Sequence, residues 1–344
     1  KKTMILFDMN TMQNGLASAL AKIQQMQMAS GGFSWFKGGR EDRYITQYIL
    51  TGIGRLRKLN AIRREDEASI DAITIKALSW LDKQMVVEYN ENKKNNFNSD
   101  NINYSQIQYM YMRSYFTDIP VLNKTAYNFY FQQCMRKWNE QSNFMKAMIG
   151  MMLMQTNQEK FVADNIFKSI LENGIETKGR GMYWKTNAYA YYWYNAPIEM
   201  QSLFIELGNE LVKYKNDKAY TTAINEMKTW LILQKQTNHW PTTKSTADAC
   251  FALLWNNGKP LPERTVSIKL GNVVLPDAAT KTEAGSGYWQ EIIPGKNVTQ
   301  SMGNISITTS SSDTQNKNNG ISYGAVYWQY FEDLDKITSA ETPL

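Results

Sequence analysis

The chain has 344 residues, 43% hydrophobic and 20% charged, which excludes a disordered polymer and at this length calls for one large domain or two. Its net charge of +6 is modest, and the densest basic cluster (Arg55, Arg57, Lys58, Arg63, Arg64) is answered at once by Glu65, Asp66 and Glu67. That pattern reads as a helix surface of mixed sign, not a nucleic-acid interface, and no apolar run approaches the roughly 20 residues that span a bilayer.

In chain order, Lys1 to Asn10 read as the middle of a helix already under way, as in a piece of a longer protein. Up to about Lys259 the pattern is helical, with apolar residues three and four apart. Examples are Ile45, Tyr48, Ile49, Ile53 and Leu56, then Ile70, Ile73, Ala77, Leu78 and Leu81. Polar stretches from Glu91 to Asn103 and from Asn173 to Gly181 read as loops. A unit also recurs. Trp80 to Gln84 and Trp230 to Gln234 read as helix ends, as does Ile23 to Gln27 before Ser30-Gly31-Gly32-Phe33-Ser34-Trp35. Fresh helices opening on small or hydroxyl residues follow, as in Thr242-Thr243 and Ser245-Thr246-Ala247. Such hairpins must stack to bury their apolar faces, and a closed ring leaves no exposed ends. The expectation over residues 1–260 is therefore an α/α toroid. From about Leu261 the period becomes two. Thr265 to Leu270 alternate, Gly271-Asn272 turns the chain into Val273-Val274-Leu275, and Asn304 to Thr308 alternate again. Ser310 to Asn319 reads as a loop and Tyr323 to Phe331 as a last β-rich segment, so residues 261–344 are expected to be antiparallel β.

The search for chemistry finds little. Zinc needs about three ligands, and one His with two separated cysteines cannot supply them; His239 beside Trp240 reads as a loop residue. Cys134 and Cys250 both read as buried thiols, with their pairing left open. Glu41-Asp42 and Glu332-Asp333 are isolated acidic pairs, not the clustered Asp motif of a cyclase. No nucleophile elbow accompanies His239, and Gly31-Gly32 and Gly38-Gly39 lack the context of a phosphate loop. A glycan-acting toroid would use paired carboxylates and aromatics; Glu41, Asp42 and Glu199 with Trp35, Trp184 and Trp193 are the candidates. No catalytic residue, cofactor-binding residue or metal ligand is otherwise expected.

Four stretches share one resemblance. Ser30 to Phe36 with Gly38-Gly39-Arg40 and Tyr44-Ile45-Thr46 resembles the thioester-domain loop and helix of bacterial alpha-2-macroglobulins. Gly181-Met182-Tyr183-Trp184 with Ala196 to Gln201 is similar to a later hairpin of that domain, and Lys235 to Trp240 with Thr242 to Ala249 to its last one. Ile321 to Asp333 resembles the segment leading towards the final macroglobulin domain. The resemblance implies a thioester-type toroid followed by a CUB-like segment, in a large secreted or periplasmic protein that entraps proteases. Proteases and the neighbouring macroglobulin domains would be its partners, and no cofactor is implied. The sequence departs from the family where it matters chemically. The thioester needs a Cys closely followed by Glu-Gln, whereas Cys134 precedes Met135-Arg136-Lys137 and Cys250 precedes Phe251-Ala252-Leu253. In relatives that motif lies upstream of the region matching Lys1. The assisting His of fast-reacting relatives is also missing, since Ile102-Asn103-Tyr104-Ser105 occupies its region. The expected function is thus that of a non-enzymatic trap component, with a glycan-acting enzyme or binding module as the alternative.

Overall fold

The structure, a computed structural model, describes residues 2–95, 102–185, 197–235, 239–255, 264–275, 290–311, 326–329, 331 and 333. The chain divides into two units, Lys1–Leu261 and Pro262–Leu344.

The first unit is helical. Its elements are α1 (Lys2–Met26), α2 (Arg43–Lys58), α3 (Arg64–Lys94), α4 (Tyr104–Arg113), α5 (Lys124–Lys137) and α6 (Asn143–Leu153). Next come α7 (Glu159–Phe161), a π-helical turn (Val162–Phe167), α8 (Lys168–Leu171), and a hairpin of β1 (Ile175–Thr177) and β2 (Gly181–Tyr183). Helices α9 (Pro197–Tyr214), α10 (Lys218–Leu233) and α11 (Thr243–Leu254) complete it. Side chains that compete with the backbone sit where helices begin. Asp42, Asn103, Asn123, Ser142, Asp217 and Thr242 each accept a hydrogen bond from a first-turn N–H. Asn103 with Gln106, and Thr242 with Ser245, close reciprocal capping boxes.

Burial sorts these helices into two layers. On α10 the buried residues form one stripe (Ala223, Ile224, Met227, Leu231), as on a helix with one face to solvent. On α9 nearly every residue from Ile198 to Leu211 is buried, and on α4 every residue from Gln106 to Arg113, so both are covered on all sides. These two belong to an inner succession of contacts, α2 with α4, α4 with α6, α6 with α9, and α9 with α11, the last keeping Thr243, Ala247, Cys250 and Leu254 exposed. Around them α3 packs on α2, α5 on α3 and α4, the π-turn on α6 and α9, and α10 on α9. Between the layers lies one apolar core including Leu50, Leu78, Leu81, Ile107, Phe204, Leu207 and Met227. Two glycines set the spacing at hairpin ends. Gly31 (φ +106°) and Gly181 (φ +79°) hold a conformation that L side chains avoid. A Cβ at Gly31 would lie 2.2 Å from the Lys76 carbonyl oxygen on α3, and one at Gly181 2.3 Å from that of Glu226 on α10.

In the second unit β3 (Arg264–Leu270) lies between β4 (Val273–Val274) and β5 (Ile305–Ser311), all antiparallel. The register pairs Ile268 with Ile307 and Leu270 with Ile305, and Gly271 (φ +56°) turns β3 into β4. The chain is therefore mostly helical, with a few antiparallel strands in small sheets.

Several expectations need correction. The helix read as ending at Gln84 continues to Lys94, and so takes in the start of the loop read from Glu91. Nothing breaks it earlier: Met85 is still buried and no Gly or Pro intervenes. The stretch read as a loop from Asn173 to Gly181 contains β1 and leads into β2. Ser310 and Ser311 belong to β5, and the rest of that predicted loop lies outside the described residues. Within Tyr323 to Phe331, the described residues 326–329 and 331 form no strand. Cys134 is buried, its thiol pushed up to about 12 by burial, but Cys250 is exposed; both are free.

Candidate functional site

The recurring hairpin ends noted in the sequence have a common construction. The Phe33 N–H donates to Thr46 Oγ1 (2.9 Å), whose hydroxyl donates to the Asp42 carbonyl at the head of α2 (2.8 Å). In the same way the Trp240 N–H donates to Thr246 Oγ1 (3.1 Å), and that hydroxyl to the Thr242 carbonyl at the head of α11 (2.9 Å). A second parallel links two tryptophans. Trp184 Nε1 donates to the Ile170 carbonyl on α8, and Trp240 Nε1 to the Leu231 carbonyl on α10, both at 2.8 Å. A buried aromatic thus ties the end of one outer helix to the approach of the next inner one.

This construction brings the N-terminal turns of the five inner helices to one pocket, lined by Tyr44, Tyr104, Phe144, Glu199 and Lys244. The residues that face inward follow one another at steps of four and three along each helix. They are Tyr44, Tyr48, Thr51 and Arg55 on α2; Tyr104, Gln108 and Tyr111 on α4; Phe144 and Met148 on α6. On α9 and α11 they are Glu199 and Leu203, and Lys244 and Asp248. Tyr44 stacks between Trp35 (5.9 Å) and Tyr48 (6.2 Å), and Tyr104 stacks on both Tyr44 and Phe144. Burial pushes the Tyr48 phenol up to about 12. The remaining cavity is about 30 Å³, room for about one or two waters, against the roughly 300–1,000 Å³ of a usual ligand site.

Behind the pocket the same helix faces carry a column of paired charges. Arg55 bridges Glu206 (2.6 Å) and Asp248, joining α2 to α9 and α11. Tyr111 and Tyr115 donate to Glu206 Oε2 at 3.4 and 3.3 Å. Further along, Lys58 and Lys213 hold Glu210 at 2.8 and 2.9 Å, and both ammonium groups lie over the Trp255 ring. Lys244 holds Asp248 at 2.8 Å and Glu199 at 3.8 Å, with its ammonium over the Tyr48 ring. These surroundings separate the carboxyls electrostatically. Burial raises Glu199 and Glu206, and the nearby cations only partly offset it. At Asp248 burial acts in the same direction, but Arg55 and Lys244 outweigh it and hold the group below its ordinary range. Lys58 and Lys213 outweigh burial likewise at Glu210.

A second buried ion pair has a structural reading. Asp82 accepts from Arg113 (3.1 Å), Tyr109 (2.7 Å) and the Leu122 N–H (2.9 Å), while Arg113 also donates to the Pro120 carbonyl. Asp82 is fully occupied in fastening the α4–α5 connection to α3.

Of the acids proposed from sequence, only Glu199 reaches the pocket. Asp42 caps α2, and Glu41 accepts from the Ser30 hydroxyl at the first hairpin end. Trp35 stands at the pocket rim, Trp184 lies in the core against Phe204, and Trp193 falls outside the described residues. Trp35 and Trp184 do not share a cleft. His239 donates from Nδ1 to the neighbouring Trp240 carbonyl (2.7 Å). Among the described residues no three His, Cys, Asp or Glu side chains gather as metal ligands. The basic cluster read as a solvated surface is split. Arg63 does pair with Glu65 and Asp66, but Arg55 and Lys58 turn inward to carboxylates on α9 and α11. Sequence reasoning missed Arg55, Glu206, Glu210, Lys244 and Asp248 as one group. Its signal was the four-and-three spacing of polar residues on helices whose other faces are apolar.

No known protein family matches this chain, and no curated protein matches it.

Proposed function

We propose that the helical unit is an α/α toroid and that the chain is a non-enzymatic part of an alpha-2-macroglobulin-like protease trap acting outside the cytoplasm. The observation that carries this reading is the axis between the inner helices, occupied by ion pairs among the chain's own side chains, with a cavity of about 30 Å³ left over. A body filled in this way is suited to mechanical work: packing against neighbouring macroglobulin domains and being released when a bait segment is cut. The succession of contacts α2–α4–α6–α9–α11, with Arg55 linking α2 to α11, supports a closed ring. Three of the four stretches that carry the family resemblance have described residues at the hairpin ends of this unit: Ser30 to Thr46, Gly181 to Trp184, and His239 to Ala249. In the same reading β3, β4 and β5 belong to the CUB-like segment.

The test uses the full-length protein that contains this chain, exposed to a broad-specificity protease. A trap leaves the protease active on a small peptide substrate and blocks it on a large protein. Equal activity on both, with the parent cleaved, rejects the reading. Methylamine treatment of the same protein separates the two branches of the family, because a thioester releases one thiol and takes up methylamine.

A second reading has one specific observation behind it. Glu199 and Asp248 line one aromatic pocket with their proton affinities pushed apart, as in a general acid and its carboxylate partner. Against it, Lys244 binds both groups and the cavity cannot seat a sugar ring. Polysaccharide hydrolysis that disappears in Glu199→Gln would favour it over the trap.

A further inference from the structure

The column of charges between the inner helices is balanced as a whole but not along its length. Glu210, at the far end, has two cations, Lys58 and Lys213. At the pocket end three carboxylates (Glu199, Glu206, Asp248) face two cations (Arg55, Lys244). Asp248 and Glu206 are engaged through both oxygens. Glu199 is not. Its side chain is 4% exposed, Oε1 has Lys244 at 3.8 Å, and Oε2 is buried without a hydrogen-bond partner. The acidic side chain of the pocket left without a close partner is therefore Glu199.

The pocket already displays the chemistry that would answer it. The Lys244 ammonium is held by a carboxylate and by the face of Tyr48, 5.6 Å away. Tyr44, Tyr104 and Phe144 extend the aromatic lining beside Glu199. At the rim this lining continues into the surface through Trp35, which stacks on Tyr44, and through Phe36, which is 77% exposed. An aromatic rim around a narrow hole that ends on a carboxyl group complements a cation carried on an apolar stem. The small cavity suits a compact ammonium better than a planar guanidinium.

The geometry points to a recognition site for a lysine side chain presented by a protein partner. The partner's ammonium enters among Tyr44, Tyr48 and Tyr104 and pairs with Glu199, whose carboxylate turns about its soft terminal torsion to present Oε2. The residues flanking that lysine rest on Trp35 and Phe36. This site stands on its own charges and does not depend on the trap reading.

Titration calorimetry on the whole chain tests it with Nα-acetyl-lysine amide and the uncharged, one-atom-shorter Nα-acetyl-norleucine amide. The lysine probe is expected to saturate with a Kd on the order of 1 mM, and norleucine to bind at least about tenfold more weakly. Glu199→Gln should abolish the preference for lysine while keeping the helical circular dichroism. Trp35→Ala, altered at the rim, should weaken lysine binding several-fold with the fold intact. Equal binding of the two probes by the unaltered chain overturns the site, as does no binding of either. A lysine preference that survives Glu199→Gln, or a stronger response to the arginine amide, overturns it as well.

Discussion

Helix α9 is buried on two sides by opposite means. One side sets Phe204, Leu207 and Leu211 into the apolar core, and the other sets Glu199, Glu206 and Glu210 against cations from α2 and α11. Apolar burial contributes roughly 25 cal/mol per Å² and needs no exact partner. A buried carboxylate is tolerable only if its partner arrives in the right place. The core side therefore supplies most of the stability, while the charged side specifies which helices may be neighbours.

The strongest way to probe this contrast is to damage each side in turn. Phe204→Ala removes a fully buried ring that meets Trp184 edge-on at 4.7 Å. It should cost about 3–5 kcal/mol in urea unfolding. Arg55→Ala strands Glu206 in the interior, leaves Asp248 with Lys244 alone, and should cost about the same, 3–5 kcal/mol. The two lesions differ in their remedy. Converting Arg55, Glu206 and Asp248 together to apolar residues of similar volume should restore stability or exceed that of the parent by about 1–4 kcal/mol. A triple variant as weak as Arg55→Ala would show that the charges stabilise outright, and the contrast would fall.

A smaller effect is expected where the hairpin end meets the inner helix. Thr46→Ala deprives the buried Phe33 N–H of its acceptor and should cost about 1–3 kcal/mol. Thr246→Ala should behave alike if the two ends are true repeats. The smallest signal is the pH dependence. Glu199 and Glu206 are raised when folded, so between the ordinary carboxylate range and their raised values the folded chain holds more protons than the unfolded one. Their effect makes stability rise as pH falls through the raised values towards the ordinary 4.5. Asp248 and Glu210 are lowered when folded, and their contribution is lost as pH drops below the ordinary values of 3.8 and 4.5. Denaturant midpoints against pH should therefore pass through a maximum on the acid side of neutrality. A Glu199→Gln, Glu206→Gln double variant should flatten only the upper limb.

These two sides were not equally legible in the sequence. The apolar side and the hairpin ends announce themselves through spacing, through the hydroxyl residues at Thr242-Thr243, and through the Gly-bearing loop at Gly31, whereas Asp42, read as a candidate acid, is a helix cap. The charged side does not. Arg55 and Lys58 next to Glu65 and Asp66 look like a solvated surface, because nothing local reveals that α9 and α11, about 150 and 190 residues later, close over them. Cys250 was misplaced for a related reason: it lies on α11 among apolar neighbours, yet its own direction is outward. The β1–β2 hairpin escaped because strands of three residues are too short to show a period.

Parallel packing of helices has a consequence for the field of this unit. With five N-terminal turns gathered at one pocket, the backbone dipoles add, and their positive ends share a single mouth. The side chains run the other way, with the surplus carboxylate at that mouth and the surplus ammonium beside the final turns of α2 and α9. One polarity offsets the other. The helical body can keep all its inner helices pointing in one direction without the long-range polarisation that such an alignment would otherwise impose on whatever it packs against.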